Sequence, residues 1–267
     1  IAKLFVAAFV PGLLAAVGYI IAISIYVRIF PDSAGLRERA PYKERFRSLL
    51  DVWPVLVIFL AVVGGIYSGW FTPTEGAAVG AAGTGLLALV NGGLTWKTLI
   101  ESILSTASAT AMIFFIVFGA SIYNGFLALS HVPVELANWV VELGLNPWAV
   151  LVLILCIYLV LGCVMDSLSM ILLTIPIFFP IVTVLDYGLG SEEFALWFGI
   201  LVLIVVEVGL ITPPVGMNLF VINSMANETP LSSTFKGVVP FIMSDLIRTA
   251  ILVMFPSITL VLLRLLY

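Results

Sequence analysis

Charge is scarce in this 267-residue chain: 10% of its residues are Asp, Glu, Lys or Arg, whereas 62% are hydrophobic. An average soluble domain carries roughly 25% charged residues, so the composition excludes an ordinary soluble domain. It indicates an all-α polytopic membrane protein, since helices satisfy their own backbone groups in lipid. Histidine occurs once, as His131 in an expected loop. A serine-type intramembrane enzyme needs a base beside its nucleophile, and a zinc type needs a ligand set such as HExxH. Neither pattern is in the sequence, and no local motif pairs Asp166 with Glu207 or Asp245 as an aspartyl enzyme would require. The chain is therefore not expected to be an enzyme or to hold a cofactor. Cysteine occurs twice, and Cys156 and Cys163 lie seven apart along one expected helix. They are too far apart to pair and read as small apolar core residues. The net charge of −4 resides in separate loops and the main basic cluster lies between two apolar spans, so no nucleic-acid partner is expected.

What is abundant is apolar sequence of bilayer length. The chain starts at Ile1 without a Met and enters an apolar run at once, which leads us to expect part of a longer protein. A first span is expected over residues 4–29, mildly kinked at Pro11-Gly12. Arg28, Arg37, Arg39, Lys43, Arg45 and Arg47 follow in one short loop, which the positive-inside rule places in the cytoplasm. A second span is expected over 52–70 and a third over 76–90, with Thr74 as its helix cap. Gly76, Gly80, Gly83 and Gly85 on the third would allow close helix packing. Residues 97–130 read as a long helix whose early hydroxyl residues suggest an interfacial entry. A short amphipathic helix over 134–143 then lies along the outer surface.

Two interrupted segments follow. Residues 147–163 are apolar, Val164-Met165-Asp166-Ser167-Leu168-Ser169 intervene, and apolarity resumes to about residue 184, with Pro176 and Pro180 expected to shorten the second limb. Each limb is shorter than the ~20 residues of an ordinary span, so a re-entrant hairpin is expected, against two spans joined by a tight turn. Residues 194–225 form the second segment, broken by Thr212-Pro213-Pro214-Val215-Gly216. Proline lacks an amide hydrogen and clashes with the preceding turn, and breaks in membrane helices are tolerated where they are buried or line a polar cavity. Such breaks hold ions and substrate in secondary transporters. A last span is expected over 240–263, with Asp245 and Arg248 three apart and able to pair.

Together these segments resemble the large membrane subunit of the tripartite ATP-independent periplasmic (TRAP) transporters. The resemblance rests on Gly64-Gly65-Ile66-Tyr67-Ser68-Gly69-Trp70-Phe71-Thr72-Pro73-Thr74-Glu75, on Gly162-Cys163-Val164-Met165-Asp166, on Thr174-Ile175-Pro176 through Pro180, and on Glu207 to Asn218. It implies an elevator-type ion-transporter fold of two inverted repeats, each with scaffold helices, a re-entrant hairpin and a broken helix. Under it the chain divides into the last span of the first repeat (1–30), a basic cytoplasmic linker (31–51) and second-repeat scaffold helices (52–133). An outer interfacial arm (134–146), the re-entrant hairpin (147–185), the broken helix (194–226) and a final transmembrane helix (238–266) follow. The first repeat's own hairpin and broken helix are not in the chain. The resemblance further implies sodium-coupled uptake of organic acid anions in a bacterial inner membrane. A small four-helix membrane subunit and a soluble periplasmic substrate-binding protein would be its partners. C4-dicarboxylates, sialic acids, other sugar acids and keto acids would all suit such a site.

Carried onto this sequence, the resemblance puts the hairpin tip at 162–169 and the helix break at 212–216. Na⁺ is a hard cation satisfied by oxygen, and half-helix C-terminal ends make exposed carbonyls more negative. The carbonyls around Gly162, Thr212, Pro213, Val215 and Gly216, with the Thr212 hydroxyl, are the expected ion ligands. Asp166 either joins them or caps the second limb through the amides of residues 168 and 169. The substrate carboxylate would meet the N-terminal ends beside Ser167 and Ser169 and beside Pro214 and Asn218. Glu207 reads as a structural partner rather than a ligand. A binding-protein-independent elevator carrier and a purely structural membrane subunit are the alternatives.

Overall fold

The computed structural model describes residues 2–31, 41–225 and 230–266, so Arg37 and Arg39 of the basic loop lie outside the described residues. Among the described residues there are helices and no strands. The chain divides into two compact units, one of residues 1–6 and 32–113, the other of 7–31 and 114–267.

The first unit holds α2 (Tyr42–Tyr67) packed against α3 (Pro73–Val90), together with the start of α1 (Ala2–Ile29) and of α4 (Trp96–Ser130). The α2 helix begins ten residues before the expected span and takes up part of the basic loop. Thr72 rather than Thr74 caps α3: its hydroxyl accepts from the Glu75 amide while the Glu75 carboxylate accepts from the Thr72 amide. Pro73 sits at the first helical position, where its missing amide hydrogen costs nothing. The bond from the Thr72 backbone, and then that from its hydroxyl, hold the exposed Glu75 carboxyl below its usual range. Gly76, Gly80 and Gly83 face Ile66, Val62 and Ile58 of α2, as close packing requires, whereas Gly85 faces open space.

Four described helices are long and apolar enough to cross a bilayer, namely α1, α4, α8 (Ser191–Ile211) and α10 (Leu231–Met254); bent α2 makes a fifth if its parts form one span. The α3 helix, expected as a span, is not among them, because Pro73, Thr74, Glu75 and its glycines dilute its apolarity.

The second unit is built on α8. Both α6 (Pro147–Gly162) and α10 pack along it, and α7 (Ser167–Thr183) lies against α5 (Val132–Glu142), α6 and α8. Tyr158, Trp197 and Phe198 are fully buried in its core. The Trp197 indole donates to the Leu252 carbonyl at 2.9 Å, fixing α8 to α10. His131 links α4 to α5 in a left-handed conformation (φ 56°) and is exposed, in keeping with a loop residue. The short helix α5 buries Pro133 and Ala137 and docks on α7.

Two proline expectations fail in opposite directions. Pro176 and Pro180 leave α7 unbroken to Thr183, so the second limb is not shortened. The final span, expected as one helix, stops at Phe255 (φ −129°, ψ 75°) before α11 (Pro256–Leu266). Pro256 biases the residue before it away from helical geometry, and α11 folds back to place Arg264 on Glu193 of α8 in a two-pronged ion pair of 2.7 and 2.8 Å.

Candidate functional site

The apolar limbs α6 and α7 are 16 and 17 residues long, and neither reaches the length of the bilayer-crossing helices. Residues 163–166 join them in a tight tip. There the Cys163, Val164 and Met165 amides return to the Val160 and Leu161 carbonyls at 2.9–3.2 Å. Asp166 ends the tip in an extended conformation, and its Oδ2 accepts from the Ser169 amide at 2.9 Å. Of the two roles open to Asp166, the structure displays the cap, made through residue 169. Removing it exposes the first amides of α7, so Asp166→Ala should lower stability by about 1 kcal/mol, and Asp166→Asn, which keeps an acceptor, by less. Denaturation midpoints of the two variants in detergent check this.

Across from the tip, α8 stops at Ile211 and α9 (Met217–Met225) resumes the segment. Pro213 and Pro214 have no amide hydrogen, so the Gly209 and Leu210 carbonyls lose the partners a continuous helix would give them. The Thr212 amide turns back to the Gly209 carbonyl at 2.9 Å. The Thr212 hydroxyl donates to the Val208 carbonyl at 2.6 Å, which leaves its oxygen lone pairs as acceptors. Gly216 closes the break at φ 60°, where a side chain would be strained.

Tip and break meet backbone to backbone. A Cβ on Gly209 would stand 2.7 Å from the Gly162 Cα and 2.9 Å from the Leu159 carbonyl oxygen, and one on Gly162 would stand 3.0 Å from the Gly209 Cα. The Gly216 amide donates to the Cys163 carbonyl at 3.3 Å. In return, the single hydrogen of the Cys163 thiol is shared between the Leu159 carbonyl of its own helix, 3.2 Å away, and the Pro213 carbonyl, 3.6 Å away. The C-terminal ends of α6 and α8 are thereby brought together. The hairpin is further locked by the buried Thr174 hydroxyl, which donates to the Met170 carbonyl at 2.6 Å and accepts from the Tyr158 hydroxyl at 2.9 Å.

The structure thus gathers Gly162, Thr212, Pro213 and Gly216 around one junction, with Val215 half-buried beside them. Ser167 and Ser169 open α7 on the other side of Asp166, while Pro214 and Asn218 are exposed. Among the described residues no hydrogen bond ties Ser167 or Asn218 to the junction. Glu207 is exposed between buried Val206 and Val208, without a hydrogen bond or ion pair among the described residues, so the structural partner expected for it is not found there. No group of His, Cys, Asp and Glu suited to a metal is present among the described residues. The donors at the junction are instead backbone and hydroxyl oxygens, the kind a hard cation takes.

Two contributors escape a sequence reading. Cys163 reads as apolar core but uses its thiol as a bridge, and Cys156, read the same way, is exposed. Gly209 is visible as a glycine inside an apolar helix, a position that in membranes often marks close helix approach. Its partner, 47 residues earlier, is not visible.

Comparison with known proteins gives the family. The family described as "Tripartite ATP-independent periplasmic transporter, DctM component" matches residues 1–258. The C4-dicarboxylate TRAP transporter large permease protein DctM of Pseudomonas aeruginosa is 35% identical over 263 residues, covering 98% of this chain and 60% of that one. The sialic acid TRAP transporter large permease protein SiaM of Vibrio cholerae is 31% identical over 269 residues, again covering 98% and 60%. A C4-dicarboxylate large permease of Rhodobacter capsulatus is 30% identical, covering 98% and 58%. The chain spans about 60% of the length of these relatives, and their names are those of transport permeases, not of enzymes. By sequence match and by its apolar, all-helical architecture, the chain belongs to the DctM component family of the tripartite ATP-independent periplasmic transporters.

Proposed function

We infer that this chain carries half of the transport machinery of a sodium-coupled permease for organic acid anions, working by an elevator motion. The observation that carries the reading is the meeting of two helix C-terminal ends, α6 at Gly162 and α8 at Ile211, across the Gly162–Gly209 contact. Each such end bears roughly half a negative charge from unpaired carbonyls. Paired with the Thr212 hydroxyl oxygen, they favour Na⁺ without any full protein charge. The opposite ends, the N-termini of α7 and α9, offer amides to a carboxylate. One junction then attracts a cation and an anion on neighbouring sides, and each stabilises the other. This electrostatic coupling is what links ion and substrate.

The substrate class follows from the same chemistry and from relatives named for C4-dicarboxylates and sialic acid, both of which carry carboxylates. The small four-helix membrane subunit and the periplasmic binding protein belong to this reading as partners, in a bacterial inner membrane. The hairpin and broken helix, locked together through Cys163 and Gly216, move as one body in it.

The test is uptake by proteoliposomes containing the permease, a small membrane subunit and a binding protein, against a panel of organic acids with and without a sodium gradient. Uptake should require the gradient. Thr212→Ala, which removes a ligand oxygen from a charged ion, should weaken the sodium dependence about tenfold or more, and Thr212→Ser should restore it. Uptake indifferent to sodium and to Thr212 would overturn the ion assignment.

A further inference from the structure

We propose that Cys163 sets the sodium affinity of the junction: its thiol hydrogen holds the Pro213 carbonyl until a cation takes that oxygen, then passes wholly to the Leu159 carbonyl. This role rests on the sodium binding proposed above and adds to it a positioning residue that does not itself ligate the ion. Sulfur is a soft ligand, whereas sodium is a hard cation that takes oxygen.

The two helix ends are built alike. At the end of α8 the Thr212 amide bonds the Gly209 carbonyl instead of Val208, and the Thr212 hydroxyl takes the abandoned Val208 oxygen at 2.6 Å. At the end of α6 the Cys163 amide bonds the Val160 carbonyl at 3.2 Å, one residue short of its α-helical partner. The Cys163 thiol then stands 3.2 Å from the abandoned Leu159 oxygen. Each terminal residue thus covers with its side chain the carbonyl four residues back. The difference is reach. The Thr212 hydroxyl donates within its own helix, whereas the longer C–S bond brings the Cys163 thiol to a second acceptor, the Pro213 oxygen across the junction.

That oxygen is one a cation would use. Among the described residues no other hydrogen-bond donor to the Pro213 carbonyl is found. A carbonyl has two lone pairs, but a hydrogen on one carries partial positive charge beside a cation on the other. The two therefore compete. The thiol is a weak donor at 3.6 Å, and it yields cheaply because the Leu159 oxygen is already within its reach. Cys163 is buried, so bulk water does not take over either bond, and the sharing of one hydrogen between two carbonyls adds directly to the cost of binding an ion.

Sodium titrations of the full-length permease with its small membrane subunit test this, with potassium keeping the ionic strength constant and calorimetry and melting temperature as readouts. Cys163→Ala should bind sodium about two- to fivefold more tightly than the wild type, because the competing donor is gone. Without sodium it should melt at a lower temperature. Cys163→Ser should bind as tightly as the alanine variant yet melt near the wild type, since its shorter side chain keeps the Leu159 bond and gives up Pro213. A cysteine that only packs the tip gives the opposite sign, with sodium binding weakened in the alanine variant and unchanged in the serine one. That pattern, or unchanged affinity in both variants, overturns the proposal. Should Cys163→Ala fail to fold, the serine variant decides alone. Thr212→Ala separates this role from the sodium site itself. Binding that is lost with Thr212 but indifferent to Cys163 keeps the site and removes the role of Cys163, whereas no sodium binding by the wild type removes both.

Discussion

Gly209→Ala is expected to destabilise the second unit and to disturb the junction of hairpin tip and helix break together, although it adds a single methyl group. The new carbon would lie 2.7 Å from the Gly162 Cα, 2.8 Å from the Gly162 carbonyl carbon and 2.9 Å from the Leu159 oxygen. All three are backbone atoms of α6, so no side chain can rotate away and the helix itself must retreat. Overpacking of this kind costs about 1–3 kcal/mol, and alanine's better helix propensity returns only about 0.5–1 kcal/mol. The upper part of that range is expected here, a fall of several degrees in the melting midpoint. Moving α6 also draws the Cys163 carbonyl from the Gly216 amide, so under the sodium binding proposed above the rise in melting temperature on adding sodium should shrink in the same variant. Gly125→Ala is the control, since nothing lies within 4 Å of the Cβ it would add. If the Gly209 and Gly125 variants melted alike, the close approach of α6 and α8 would be refuted.

The second large effect is expected at Arg248. Asp245 is 2% exposed. Its Oδ2 accepts the Tyr19 hydroxyl at 2.7 Å, and its Oδ1 lies 2.9 Å from the Arg248 guanidinium. Arg248 also reaches the Pro11 carbonyl at 3.4 Å, so one cation ties α1 to α10. The Arg248–Asp245 contact is one of charge rather than an aligned hydrogen bond: Oδ1 and the Arg248 Nε lack hydrogen-bond partners among the described residues. Such a pair contributes little net stability over an apolar replacement, but losing one member strands the other. Arg248→Met should therefore cost roughly 3–5 kcal/mol, and adding Asp245→Asn should recover much of it. A double variant no more stable than Arg248→Met alone would show that the two groups are not coupled.

The pair itself was legible in the sequence, because an acid and a base three apart on a helix share a face. So were the two interrupted segments. Their ends came within a few residues of Pro147–Gly162, Ser167–Thr183, Ser191–Ile211 and Met217–Met225, since apolar length and proline position are local properties. Prolines were less readable one at a time. Pro256 ends a helix whereas Pro176 and Pro180 do not, because in an apolar setting the surrounding packing decides whether a freed carbonyl is tolerated. The cap of α3 was misplaced by two residues for a local reason: Thr72 and Thr74 both offer a hydroxyl, and the reciprocal bond with Glu75 selects Thr72.

By itself, the sequence determined that this is an all-helical membrane chain, where its hairpin turns and its 212–216 break falls, and which family's motifs it carries. Those features depend on the number of apolar residues in a row and on the paired prolines and glycines of one short stretch, which are local properties. Tertiary structure decided that the hairpin tip and the helix break share one junction, that Cys163 bridges them, and that Tyr19 of α1 reaches the Asp245–Arg248 pair of α10. Each of these joins residues from 47 to more than 200 positions apart, and periodicity along a chain holds no record of which helix faces meet. At Gly162 and Gly209 the missing side chains permit an approach; the packing of α6 on α8 makes it.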